Sequence, residues 1–144
     1  MKTMKWMMLV LPLVLAGCKG NENALKLLKE REWQLKAMQM NGEAVTNPAE
    51  LPVLLFSDST AVYGSAGCNR FFGEYEADAE GNMTVHPGGA TMMACPDLEF
   101  EDNYLKALSQ VKHFQIAEGE LTLKDDAGNW RLVYVLPESD KKQE

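Results

Sequence analysis

Few groups in this chain of 144 residues are equipped for chemistry: three cysteines (Cys18, Cys68, Cys95), two histidines (His86, His113) and a serine, Ser65, inside Gly64-Ser65-Ala66-Gly67. Cys68 and Cys95 lack Cys-x-x-Cys spacing, so neither is expected to be the low-pKa nucleophile of an oxidoreductase. In an oxidising compartment two cysteines of one small domain pair, and a structural disulfide is the expected use. Zinc would need four ligands; beyond the cysteines there are only His86 and His113, with no metal-binding spacing, so no metal is expected. Ser65 superficially suggests a nucleophile elbow, but that turn requires Gly-x-Ser-x-Gly and the spacing is wrong. A triad would also need a histidine base, and His86 stands beside Pro87-Gly88-Gly89, which reads as a tight turn in a surface loop. Glu74 and Glu76 share one face of a predicted strand, a spacing compatible with sugar hydrolysis but far commoner as solvated surface. Met83, Met92 and Met93 read as core filling rather than a soft metal site. No catalytic residue and no cofactor is expected, and the chain is expected not to be an enzyme.

Cys18 has a different setting. Lys2 and Lys5 precede the apolar run Trp6–Leu15, which is about half the roughly 20 residues a bilayer span needs, so it reads as an export signal. The small residues of Leu15-Ala16-Gly17-Cys18 resemble the lipobox of bacterial lipoproteins. That resemblance implies cleavage after residue 17 and acylation of Cys18. Two or three acyl chains, at about 0.8 kcal/mol per buried methylene, anchor a protein to a membrane without spanning it. Lys19 stands where an Asp would retain such a protein in the inner membrane. The expected address is therefore the outer membrane, facing the periplasm. Removing residues 1–17 takes Lys2 and Lys5 from 14 basic side chains, leaving 12 against 21 acidic ones and a charge of -9. Such a surface disfavours nucleic acid as a partner.

Residues 18–31 read as the lipidated tether entering a short helix, residues 32–137 as one domain, and residues 138–144 as a polar tail. Within the domain, Trp33–Ala37 alternates, Asn41-Gly42 is a turn dipeptide, and Val53–Phe56 is a compact apolar run. Ala61–Gly64 and Phe71–Tyr75 continue the strand pattern, with glycines where a curved sheet must bend. Phe114–Ile116, Leu121–Leu123 and Trp130–Tyr134, parted by Glu118-Gly119 and Asp125–Gly128, form a meander. Trp33 and Trp130 are expected in the core. Phe100, Tyr104, Leu108 and Val111 recur at helical steps, with Pro96 at a suitable first helical position and acids in the first turn. The fold class is α+β: a curved, partly barrel-like antiparallel sheet closed by one amphipathic helix.

Two segments are more specific than strand propensity explains: Gly64-Ser-Ala-Gly-Cys-Asn-Arg-Phe-Phe-Gly73 and Thr91-Met-Met-Ala-Cys-Pro96. With the opening Trp33-x-Leu35 and Asn41-Gly42 and the closing strands, they resemble the META/HslJ-like domain family from Trp33 to about Val135. The resemblance implies a partly barrel-like α+β fold and occurrence in envelope lipoproteins. For some members it implies a link to heat shock or to resistance against toxic compounds, and it implies no established activity or cofactor. Asn69 and Arg70 look like the family's Asn-Arg after the first cysteine and could mark a binding surface. The blander reading gives Asn69 a left-handed turn conformation and pairs Arg70 with a nearby acid.

The function expected from address and resemblance is a monomeric, non-catalytic envelope lipoprotein that binds or stabilises an envelope component, with a link to stress. The alternative is a periplasmic inhibitor of a basic hydrolase such as lysozyme, which an acidic surface suits.

Overall fold

A computed structural model of the chain describes residues 20–138. The expected signal peptide, Cys18 and all but the first residue of the expected tail lie outside them. The elements run α1 (Gly20–Leu28), β1 (Glu32–Met40), β2 (Glu43–Val45), β3 (Val53–Phe56), β4 (Ala61–Ser65), β5 (Arg70–Ala77), β6 (Met83–Ala90), α2 (Leu98–Ser109), β7 (His113–Ala117), β8 (Glu120–Lys124) and β9 (Trp130–Val135). All nine strands belong to one antiparallel sheet in the order β6-β5-β4-β3-β1-β9-β8-β7, with β2 on the far end of β1.

The sheet is curled into a half-barrel. Register shifts between Leu35 and Ala37 against β9, and between Phe72 and Gly73 against β6, supply the local bends such curvature needs. Two hairpins turn on residues with positive φ, Asn41 (53°) with Gly42 (81°) and Glu118 (53°) with Gly119 (74°), whose backbone twist matches that of the flanking strands. The ends of the strand path meet at one corner: Met83 N–H donates to the Lys112 carbonyl and Phe114 N–H to the Gly81 carbonyl, both at 2.9 Å. Beyond that corner α2 packs on β6 and α1 on β7.

Strand alternation sends Leu54, Phe56, Val62, Phe71, Tyr75 and Val85 into a single core with Trp33 and Trp130. Onto it α2 presents Phe100, Tyr104, Ala107 and Leu108, and the buried Tyr104 and Tyr134 hydroxyls satisfy each other at 2.8 Å. Among the described residues, no helix is long and apolar enough to cross a membrane.

Several expectations are modified. Among the described residues there are two helices: the short helix expected after the tether is α1, and it joins the core, with Leu28 fully buried and its carbonyl accepting the Trp33 indole N–H at 3.1 Å. The α2 cap is Asp97, so Pro96 precedes the helix rather than opening it. The segment His86–Gly89 is not a surface loop but lies within β6, where Pro87 pairs Gly73 at the register shift. An edge position tolerates a residue without N–H, because beyond the Met83 corner the outer side of β6 has α2 packed against it rather than a paired strand. Gly73 makes that close approach possible, since a Cβ there would run into the His86 carbonyl oxygen.

Candidate functional site

The two family-like segments meet at the start of α2. Cys68 follows β4 in the loop to β5, Cys95 stands just before α2, and the two form a disulfide with their Cα atoms 6.3 Å apart. Beside it lies Glu101, only 3% exposed. Its Oε1 accepts the backbone N–H groups of Cys68 (2.7 Å) and Asn69 (2.8 Å), and its Oε2 accepts the Asn69 side-chain amide (2.8 Å). The Asn69 Oδ1 in turn accepts the Thr91 hydroxyl (3.0 Å) and the Met93 N–H (2.8 Å), while its Nδ2 also donates to the Met93 carbonyl (3.2 Å). Every polar atom of the Asn69 amide is therefore bonded. Asn69 is 5% exposed and so offers no binding surface, and the left-handed backbone in this loop belongs to Gly67 (φ 121°), not Asn69.

This cluster is structural chemistry. The two sulfurs and the Glu101 carboxylate fall within 4.8 Å of one another, but the disulfide consumes both thiolates a metal would need. Glu101 lies in the first turn of α2, where the helix dipole also favours a carboxylate. Its role escaped sequence reasoning, which grouped it with the other acids of that turn. Its place one residue after Phe100 on a helix with a buried face was the available signal.

The other sequence-singled groups disperse. Ser65 turns its hydroxyl to the Gly67 carbonyl at 2.8 Å. The His113 ring nitrogen lies 2.5 Å from a carboxylate oxygen of Asp126, and His86 is exposed on β6. Glu74 and Glu76 are exposed on β5. Met83 is in the core, whereas Met92 (94% exposed) and Met93 stand in solvent, because the backbone between β6 and α2 is held by Asn69 rather than by apolar packing.

Arg70 has a more suggestive place. It starts β5 and is exposed, and among the described residues no carboxylate lies within ion-pair distance of it, so the expected acid partner is absent. It lines a groove of about 730 Å³ on the outer face of β3, β4 and β5, within the range of small-molecule sites. Strand register builds this groove as two adjacent rows. Glu32, Leu55, Tyr63, Phe72 and Gly89 pair in sequence across β1, β3, β4, β5 and β6. Two residues along, Val53, Ser65 and Arg70 pair likewise. Tyr63 and Phe72 are 53% and 60% exposed although they sit on a sheet whose opposite face already supplies the core. Gly89 matters here, because a Cβ at that position would fall at 2.7 Å from the Phe72 ring.

The comparisons with known proteins agree with this architecture. The chain is similar to a protein from Burkholderia xenovorans solved by NMR, at 26% identity over 78% of this chain and 86% of that one, with a TM-score of 0.64. A second NMR structure matches at 26% identity over 77% and 92% of the two chains, with a TM-score of 0.55. The crystal structure of a DUF4847 family protein from Bacteroides vulgatus ATCC 8482 shares the fold at 12% identity, covering 80% of this chain and 98% of that one with a TM-score of 0.59. No curated protein matches. The META domain model matches residues 26–138, a span that takes in the last three residues of α1, the whole sheet and the Cys68–Cys95 knot, and the chain therefore belongs to the META domain family.

Proposed function

We propose that this protein is a non-catalytic lipoprotein of the outer membrane, anchored through Cys18, that binds an envelope component in the outer groove. The observation that carries the binding reading is the row Leu55, Tyr63 and Phe72, two of them aromatic and more than half exposed, beside an Arg70 that among the described residues has no acid within ion-pair distance. Exposed aromatics side by side cost solubility unless something covers them, and such patches mark interaction sites. The anchor rests on the Leu15–Cys18 lipobox resemblance, and Lys19 supports the outer membrane as address. In this reading α2 is the element that closes the half-barrel, and the disulfide and Glu101 hold its start in place.

The test is photocrosslinking in intact cells, with a benzophenone side chain replacing Phe72 or, as a control, the exposed Lys124 on β8. A defined adduct at 72 and none at 124 is the expected result. Equal labelling at both sites, or none at either, would contradict the groove reading.

A second reading, inhibition of a basic hydrolase such as lysozyme, draws on the exposed Met92, Met93 and Leu98 next to Asp97, Glu99 and Asp102. It predicts stoichiometric inhibition of a basic lysozyme that is lost in Met92→Asp plus Met93→Asp.

A further inference from the structure

The groove's own charges say more about what it takes. Among the described residues that line it, Arg70 is the single cation and Glu32 the single anion. They occupy opposite ends: Arg70 is on β5 beside Phe72, and Glu32 is on β1, three strand spacings away across β4 and β3. At about 4.8 Å per spacing this is roughly 14 Å. Between them Leu55, Tyr63 and Phe72 are direct cross-strand partners, so their side chains form one unbroken apolar strip. Bare Gly89 leaves the space that the Phe72 ring fills at the edge of that strip.

We infer that the outer groove takes a monoanion with a flat apolar body, its negative group on the Arg70 guanidinium and its body along Phe72, Tyr63 and Leu55. The inference rests on the groove reading proposed above and adds the chemical class. A planar guanidinium offers paired donors to a carboxylate or sulfonate, and aromatic side chains favour a flat apolar partner. Glu32 sets the limit on charge. An anionic group at the far end of the ligand meets a carboxylate, and the net negative charge, -9 from Cys18 onward (12 basic against 21 acidic side chains), raises the potential opposing any polyanion. Polyphosphates and nucleic acids are therefore excluded as occupants, whereas a single carboxylate on an aromatic body fits both ends.

The experiment uses the full chain in phosphatidylcholine nanodiscs, with empty discs subtracted, and three soluble probes: naphthoate, its neutral amide, and a naphthalene dicarboxylate. Dissociation constants come from saturation-transfer NMR. Naphthoate should bind roughly fivefold more tightly than the amide, the increment of a partly exposed charge pair. Arg70→Gln should erase that preference while leaving amide binding in place, Glu32→Gln should strengthen the dicarboxylate selectively, and Phe72→Ala should weaken all three. Equal affinity of naphthoate and amide for the wild type, or a preference that survives Arg70→Gln, overturns the monoanion inference alone. Binding that ignores Phe72→Ala, or no binding of any probe, overturns the groove reading with it.

Discussion

Replacing Glu101 by alanine removes one carboxylate and three hydrogen bonds at once. Two come from backbone N–H groups, of Cys68 and Asn69, at 2.7 and 2.8 Å, and the third from the Asn69 amide at 2.8 Å. Hydrogen bonds to a charged acceptor contribute about 1.5–3 kcal/mol each, and a buried donor left unpaired costs about 1–3 kcal/mol. These terms share partners and do not add fully, so the alanine variant should lose about 3–5 kcal/mol. That is a large share of the roughly 5–15 kcal/mol holding a domain of this size. Glu101→Gln keeps one oxygen for the two backbone donors but sets an NH₂ against the Asn69 NH₂. Asn69 cannot rotate to answer it without giving up Thr91 and Met93, so a loss of about 1.5–3 kcal/mol is expected. The assay is equilibrium urea unfolding followed by circular dichroism, with the disulfide intact. In a double-mutant cycle, Glu101→Ala and Asn69→Ala should couple by more than about 1 kcal/mol, because each removes the other's partner. An alanine variant within about 0.5 kcal/mol of wild type, or additive single effects, would refute the view that Glu101 holds the loop to the helix.

Four further outcomes follow. Reducing the Cys68–Cys95 bond, which closes a separation of 27 residues, should cost about 3.5 kcal/mol of stability by the loop-entropy argument; an unchanged melting temperature with reductant would contradict a stabilising role. Gly73→Ala places a methyl against the backbone of His86 and Gly88 and should destabilise by about 1–3 kcal/mol, with a wild-type melting curve as the opposing result. Burial holds the hydroxyls of Tyr104 and Tyr134 well above the usual tyrosine pKa of 10.0. The neutral forms favour the folded state, so this contribution is complete below about pH 10 and is lost as pH rises towards the raised values. Tyrosinate absorbance from that pair should appear only together with loss of the near-ultraviolet signal, and reversible titration of all four tyrosines in the folded protein would count against it. Finally, Cys18→Ser should leave the precursor uncleaved and unlabelled by palmitate, and normal labelling would remove the basis for the anchor.

Much of the fold is legible in local chemistry. Phe100, Tyr104 and Leu108 mark α2 because a helix face repeats every three to four residues, and Asn41-Gly42 and Glu118-Gly119 mark hairpins because they accept positive φ. Strand β6 is not legible, since Pro87-Gly88-Gly89 carries turn residues. It is a strand only because Gly73 across the sheet allows close approach and α2 covers its outer side. Met92 and Met93 mislead for a related reason: apolar character predicts burial, but Asn69 bonds the Met93 N–H and carbonyl and the Thr91 hydroxyl, holding the segment on either side of Met92 at the surface.

From its sequence alone the chain determines an α+β class, the pairing of Cys68 with Cys95, and a specific family resemblance, because propensity, turn geometry and cysteine chemistry act over short spans or are restricted to few candidates. What only the tertiary structure decides is which residues meet across long spans. Burial of Glu101 under the Cys68–Asn69 loop depends on the placement of α2. Alignment of Leu55, Tyr63 and Phe72 beside Arg70 depends on strand register, where a slip of one residue would turn each of them to the opposite face of the sheet.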